Sequence, residues 1–385
     1  MNTLRVLQAF PMEEKRERGL VHTPDEIAQQ PTSWRNTYRL FENSRSELRS
    51  LLGQARDERW TIYIVGARTS DYIGHSLADL LRQRWQCEVF AVASTDLLAN
   101  REDLVLTDHN YLWIWFSRSG DSPEGVAVLE QAPAAYPKVK HLVVSCNKDG
   151  RMVKLAQESE QAFAMLLDDA VNDRSLAMTS SFTNMVVFGQ ALAHLWENEH
   201  YPATLAHLIE AAEYLLLEGA DLAHALAQQA CLRACFVGAG GLGATARESA
   251  LKLLELTSGR IETMYETTLG LRHGPMSSLN ADTLFVAFLS NETRRRKYDN
   301  DLLHEVHAKD VVRKIVAIGR KDAVCDHFLH CPAFDRIDDA YRPAVDVIFG
   351  QMLGLFSSIE LGMRPDSPSP TGVISRVVEA FSIYS

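Results

Sequence analysis

The chain has no apolar run approaching the roughly 20 residues that a membrane-spanning helix needs, so a membrane is not an expected partner. Clustered positive charge is scarce as well. The 39 Lys and Arg are outnumbered by 50 Asp and Glu, for a net charge of −11, and no basic tail or basic helix stands out. Nucleic acid is therefore not an expected partner, because binding a phosphate backbone takes clustered cations. Only six cysteines are present, at positions 87, 146, 231, 235, 325 and 331, and they follow no disulfide framework. With no signal peptide at the N-terminus, the expected location is a reducing cytoplasm. Cys325, His327, His330 and Cys331 lie close in sequence but lack the intervals of a structural zinc site, so no metal is expected. A nucleotide-binding P-loop is missing too.

What is there has the make-up of a globular protein, 46% hydrophobic and 23% charged, and 385 residues exceed one ordinary core. Residues 1–44 read as a helical lead-in. In it, Thr23-Pro24-Asp25-Glu26 combines a capping threonine, a first-turn proline and a glutamate that would complete a capping box. From residue 61 apolar strands alternate with helices, with strands expected at 61–65, 88–93, 111–116 and 141–145. After a helical region at about 185–229 a second series follows, with strands at 232–237, 283–289 and 314–318 and helices again over 343–364. The recurring order of strand, small-residue loop and helix predicts an α/β fold of two tandem three-layer domains, with parallel sheets flanked by helices. The expected boundaries are 45–200 and 201–365, with a tail at 366–385 that begins irregularly among the prolines at 365, 368 and 370.

The stretch Ser117-Arg118-Ser119-Gly120-Asp121-Ser122-Pro123-Glu124 follows an apolar strand and opens a helix. Open parallel sheets bind ligands at that edge, and hydroxyls beside helix-end N–H groups can cradle a phosphate without lysine or metal. A serine-rich turn with a routine cap would look similar. Thr69 and Ser70 hold the equivalent place after the first strand, which favours a shared ligand.

Glu248, Lys252 and Glu255 fall on one face of a helix expected over 244–257, whose other positions include Ala250, Leu251, Leu253, Leu254 and Leu256. Exposed Glu-Lys pairs use the same spacing, but so apolar a helix is expected to be largely buried, with its charged stripe lining a cavity. Moving a proton between adjacent carbons needs a carboxylate and an acid or cation for the enediol oxygen. Glu255 is the expected base. His273, in His273-Gly274-Pro275, has a side chain suited to opening a pyranose ring.

Together these residues resemble the sugar isomerase (SIS) domain family over roughly residues 45–365. Gly66-Ala67-Arg68-Thr69-Ser70 is similar to the family's G-x-G-T-S loop, with Arg68 in place of a glycine, and residues 116–123 are similar to its S-x-S-G-[DE]-[ST] phosphate loop. Residues 248–255 and His273 are similar to the catalytic helix and histidine in the isomerase half of glucosamine-6-phosphate synthase. That likeness implies Glu255 as the C1/C2 proton carrier, Lys252 and Glu248 as its support, and His273 as a ring-opening group reaching a neighbouring subunit. It implies a substrate-binding set of Thr69, Ser70, Ser117, Arg118, Ser119 and Ser122, with Thr179 from a ligand-lining segment at 177–183. The resemblance does not include that synthase's glutaminase domain with its cysteine nucleophile, so glutamine-dependent synthesis is not expected; its C-terminal lysine has no clear counterpart, although Arg376 lies in a similar tail.

The lead-in, with Glu26, Ile27, Gln30, Pro31 and Trp34, extends the resemblance to the bacterial galactosamine-6-phosphate deaminase/isomerase group, formerly labelled tagatose-6-phosphate ketose/aldose isomerases. The resemblance implies a deaminating isomerase of an amino-sugar phosphate, acting without cofactor as a homodimer or homotetramer. The alternatives are a non-deaminating isomerase of a hexose 6-phosphate, a sugar-phosphate sensor, and an NAD-dependent dehydrogenase. The last rests on the G-x-G-x-x-G match at residues 238–243, but it does not account for the serine loop or the Glu-Lys-Glu stripe.

Overall fold

The structure is a computed structural model that describes residues 2–197, 201–320, 323–369, 371–379 and 381–384; the proline at 370 lies outside them. Ten strands among these residues form two five-stranded sheets. The first contains β1 (Thr61–Gly66), β2 (Val89–Ala93), β3 (Tyr111–Ser117), β4 (Val139–Ser145) and β5 (Ala162–Leu166), in the order β2-β1-β3-β4-β5. The second contains β6 (Arg233–Gly238), β7 (Glu262–Glu266), β8 (Thr283–Phe288), β9 (Lys314–Ile318) and β10 (His327–Leu329), in the order β10-β9-β8-β6-β7. Every pairing is parallel. Read from the β2 and β7 edges, both sheets run second, first, third, fourth, fifth, so the expected α/β class with helix-flanked parallel sheets is what the chain adopts. The edge strands β5, β7 and β10 are not among the expected strands. Each has one neighbour, and β7 (Glu-Thr-Met-Tyr-Glu) carries no apolar run.

The chain divides into two compact units. One comprises Ser33–Asp173, Ser180–Tyr201 and Ile374–Ser385; the other comprises Met1–Thr32, Arg174–Thr179 and Pro202–Val373.

In the unit holding the first sheet, every residue of β3 is buried, as befits a central strand covered on both faces. Alternate residues Tyr63, Val65, Trp113, Trp115 and Val143 face a core with Leu97, Val128, Leu129 and Met152 from the helices. His141 of β4 is buried among these aromatics, its Nδ1 accepting from Trp115 Nε1 at 3.2 Å. Burial pushes its pKa down to about 3.

In the unit holding the second sheet, the helix Gly241–Leu256 covers the face carrying Ala234 and Leu284, against which Leu253 packs. The helix Pro343–Glu360 crosses it closely: a Cβ at Gly350 would sit 2.4 Å from Ser249 Oγ, so only glycine allows this approach. The opposite face, with Cys235, Val237 and Phe285, packs against Leu271, Leu302, Leu303 and Val306.

The N-terminal residues of this unit form the helices Thr3–Gln8, Met12–Arg18 and Thr23–Ala28. The third starts differently from the expected capping box. The Asp366 carboxylate accepts from the N–H groups of Val21, His22 and Thr23 and from Thr23 Oγ1. Glu26 instead accepts from Arg174 N, Ser175 N and Ser175 Oγ. A charged carboxylate is a stronger partner for helix-end N–H groups than the threonine hydroxyl, and the spacing within 23–26 gives no hint of residue 366. Among the described residues no helix is long and apolar enough to cross a membrane.

Candidate active site

The register of the first sheet pairs Val65 of β1 with Trp115 of β3, so residues 67–70 and 117–122 leave neighbouring strands at the same sheet edge. Thr69, Ser70, Ser117 and Arg118 are buried there, with Ser119 and Ser122 half-buried. The loop is shaped by its own bonds. Gly120 N donates to Ser117 Oγ at 3.0 Å, Asp121 N donates to Ser119 Oγ at 3.2 Å, and Asn147 Nδ2 donates to Ser119 O at 2.8 Å. Asp121 Oδ1 accepts from Arg151 N at 2.8 Å. The helix Pro123–Ala135 then begins with Ser122 at its N-cap, and the Ser122 side chain makes no capping bond. Its first N–H groups and dipole are therefore left for an anion.

The equivalent corner of the second sheet is already supplied with anions. The loop after β8 has Ser290 Oγ donating to Asp339, Asn291 N donating to Asp339 Oδ1 at 2.7 Å, and the Glu292 carboxylate capping Arg294 N and Arg295 N at 3.0 and 2.9 Å. The glycine loop at 238–243 is also covered: a Cβ at Gly240 would lie 3.4 Å from the Arg295 guanidinium, which pairs with Asp339 at 3.4 Å. Of the two corners, the serine loop is the one whose helix start has no side-chain cap from its N-cap residue, although Glu124 lies in the first turn.

Arg118 turns away from its loop, donating through Nη2 to Arg376 O at 2.5 Å. Arg376 in turn donates to Asp173 O at 2.7 Å and to Asn172 Oδ1 at 2.6 Å. These bonds tether the C-terminal tail beside the serine loop. Asp173 also takes both helix-start serines: its carboxylate accepts from Ser180 and Ser181, through N and Oγ of each. Asn147 and Asp173 are the residues that sequence reasoning missed. Asn147 could have been found as the first polar residue beyond the end of β4, at the same edge as the serine loop.

In the other unit, the helix Gly241–Leu256 brings Glu248, Lys252 and Glu255 together. Lys252 Nζ lies 2.6 Å from Glu255 Oε2 and 3.3 Å from Glu248 Oε1. The Lys252 and Glu248 side chains are fully buried, while Glu255 keeps 24% of its side chain exposed. Burial alone would lower the Lys252 pKa, but the two carboxylates outweigh it and hold the ammonium above its usual value. The stripe is therefore a buried ion triad that opens outward at Glu255, a carboxylate held by a cation and accessible to a ligand. Leu254 departs from the expected apolar surround, being 40% exposed. Thr179 is fully buried, and its carbonyl accepts from Gln351 Nε2 at 3.3 Å.

His273 is exposed, at the end of the short 3-10 turn Gly270–His273. It makes no hydrogen bond or ion pair with Glu255 within this chain. Its neighbour Leu271 packs on the sheet face with Cys235 and Val237, whereas Leu253 of the triad's helix packs on the face with Ala234. Glu255 also lies about 21 Å along its helix from Gly241, at 1.5 Å per residue, and so far from the glycine loop. Of the Cys/His cluster, His330 Nδ1 bonds to Gly319 O at 2.9 Å. Among the described residues no group of three or more His, Cys, Asp or Glu side chains could hold a metal ion.

No protein-family profile matches the chain. It is 36% identical over 372 residues to a Streptomyces coelicolor protein provisionally named D-galactosamine-6-phosphate deaminase AgaS, covering 95% of this chain and 96% of that one. It is 34% identical to the D-galactosamine-6-phosphate deaminase AgaS of Escherichia coli O157:H7, covering 94% of this chain and 95% of that one. Among solved structures, a Clostridium novyi protein provisionally named a tagatose-6-phosphate ketose/aldose isomerase superposes with a TM-score of 0.92 at 31% identity, covering 98% of each chain. With this similarity running from end to end of its relatives, the chain belongs to the AgaS family of D-galactosamine-6-phosphate deaminases, and so to a family of enzymes.

Proposed function

We propose that this enzyme converts galactosamine 6-phosphate and water to tagatose 6-phosphate and ammonia. Family membership supports the substrate class, and the buried triad with its one accessible carboxylate carries the chemistry. In this reading the serine loop, with Thr69 and Ser70, holds the 6-phosphate through hydroxyls and the uncapped N–H groups of the helix Pro123–Ala135. His273 moves the proton between O5 and O1 that opens the ring. Glu255 takes the proton from C2 of the open-chain aldehyde and delivers one to C1. The product of that shift is a ketose imine; water adds to its carbon, and ammonia leaves.

Lys252 holds Glu255 in place through its ion pair, and Glu248 holds Lys252 from its buried side. These steps use acid–base groups of the protein alone. Leu271, two residues before His273, packs on the sheet face opposite to that of Leu253 in the Glu255 helix, which supports a second copy of the chain contributing one of the two groups, in a homodimer or homotetramer. The shared strand order supports reading the halves as a duplicated unit. Six free thiols suit a reducing cytoplasm.

The second reading is a non-deaminating ketose/aldose isomerase, favoured by the name of the Clostridium novyi relative. Purified enzyme incubated with galactosamine 6-phosphate, glucosamine 6-phosphate and tagatose 6-phosphate separates the two. Ammonia and a ketose phosphate in equal amounts from the first substrate support deamination. No ammonia, with ketose–aldose interconversion of the third, supports the alternative.

A further inference from the structure

Arg68 occupies a backbone conformation that suits glycine. It stands between β1 and the helix Thr69–Trp85 with φ 52° and ψ −116°. The matching residue of the second sheet, between β6 and the helix Gly241–Leu256, is Gly240, with φ 58° and ψ −131°. At that φ and ψ the Cβ of any other residue is strained, and such strain persists where something else depends on the side chain. Packing is not the reason. The Arg68 side chain is exposed and makes no hydrogen bond or ion pair with a described residue. Arg68 stands at the same sheet edge as Ser117–Ser122, immediately before the buried Thr69 and Ser70.

The second sheet shows what a guanidinium does at this corner. There Arg295 lies against Gly240 and pairs with Asp339, which also takes Ser290 Oγ and Asn291 N from the loop after β8. A cation over the first loop thus meets an anion seated on the third-strand loop. At the first sheet the cation comes from Arg68 itself, and the one carboxylate on the neighbouring loop, Asp121, is taken up by Arg151 N and Asn147 Nδ2.

We propose that the Arg68 guanidinium is a direct ligand of the substrate's phosphate, adding a full positive charge beside the hydroxyls and N–H groups of the cradle. The assignment rests on reading the serine loop as the phosphate site.

R68G removes the charge and relieves the backbone, whereas R68A removes the charge and keeps the strain. Both should raise KM for the amino-sugar phosphate by roughly 10–100-fold, the worth of a charge-assisted hydrogen bond. Both should raise the Ki of inorganic phosphate as a competitive inhibitor by a similar factor, with kcat falling less than KM rises. R68G alone should unfold at a temperature a few degrees higher than wild type. R68K, which keeps a charge on another stem, should fall between wild type and R68A. S119A serves as the control on the underlying reading. If S119A raises KM while R68G and R68A leave KM and the phosphate Ki at wild-type values, Arg68 is not a ligand and the cradle stands. If none of these variants moves either constant, the phosphate is bound elsewhere and both assignments fall.

Discussion

Replacing Lys252 by Met tests whether the triad is a buried ionic unit. At an effective dielectric constant of about 20, contacts of 2.6 and 3.3 Å are attractive by about 6 and 5 kcal/mol, most of which is cancelled by taking three charges out of water. The net effect of K252M is set by what becomes of Glu248, whose side chain is fully buried. Deprived of its cation, it must take up a proton, and protonating a glutamate of ordinary pKa about 4.3 costs about 3.7 kcal/mol at pH 7 and about 1 kcal/mol at pH 5. Glu255, partly exposed, can turn to water instead.

K252M should therefore lose about 3–4 kcal/mol at pH 7 and about 1 kcal/mol at pH 5. The sign follows from linkage: the glutamate's folded-state pKa is raised in the variant, so the folded state is favoured below the unfolded value and loses ground as pH rises. Adding E248Q removes the buried acid, so the double variant should be more stable at pH 7 than K252M alone and lose the pH dependence. Urea denaturation of wild type, both single variants and the double variant at the two pH values measures this cycle. A K252M penalty below about 1 kcal/mol that is flat with pH, or additive single effects, would mean that the pair is screened by water and that the triad argument is wrong.

Two further outcomes follow. Mixing inactive H273A with inactive E255Q subunits should restore part of the activity, because one site in each mixed pair would combine an intact histidine with an intact glutamate; no recovery after proven subunit exchange would place both groups in one chain's site. His141, with a folded pKa of about 3 against about 6.5 unfolded, contributes stability that is present above pH 6.5 and is lost as pH falls, by about 3 kcal/mol between pH 7 and 4. H141Q keeps an acceptor for the Trp115 N–H and should flatten that slope in urea titrations; an unchanged slope would show that His141 is not held neutral.

The central strands and the two loops were legible because their signals are local. β3 is an unbroken apolar run, and Ser117–Ser122 follows it directly. The Glu248–Lys252–Glu255 stripe was legible too, since helical periodicity puts the three on one face and the surrounding leucines imply burial. What escaped depends on residues distant in sequence. Asp366, more than three hundred positions away, decides the cap of the helix at Thr23. The edge strand β7 pairs on one side only and needs no apolar run. That Arg68 has a glycine's conformation was visible in the sequence as a departure from the family loop, but its strain and its counterpart at Gly240 are properties of backbone angles alone.

The central claim is that Glu255 carries the proton, and the direct measurement is ammonia release from galactosamine 6-phosphate by wild type and E255Q side by side in EDTA, with substrate affinity determined separately by calorimetry. Glutamine keeps the shape and removes the base. E255Q is expected to bind the sugar phosphate with an affinity close to that of wild type while kcat falls by about 10²–10⁴-fold. Ammonia release by E255Q at the wild-type rate would contradict it.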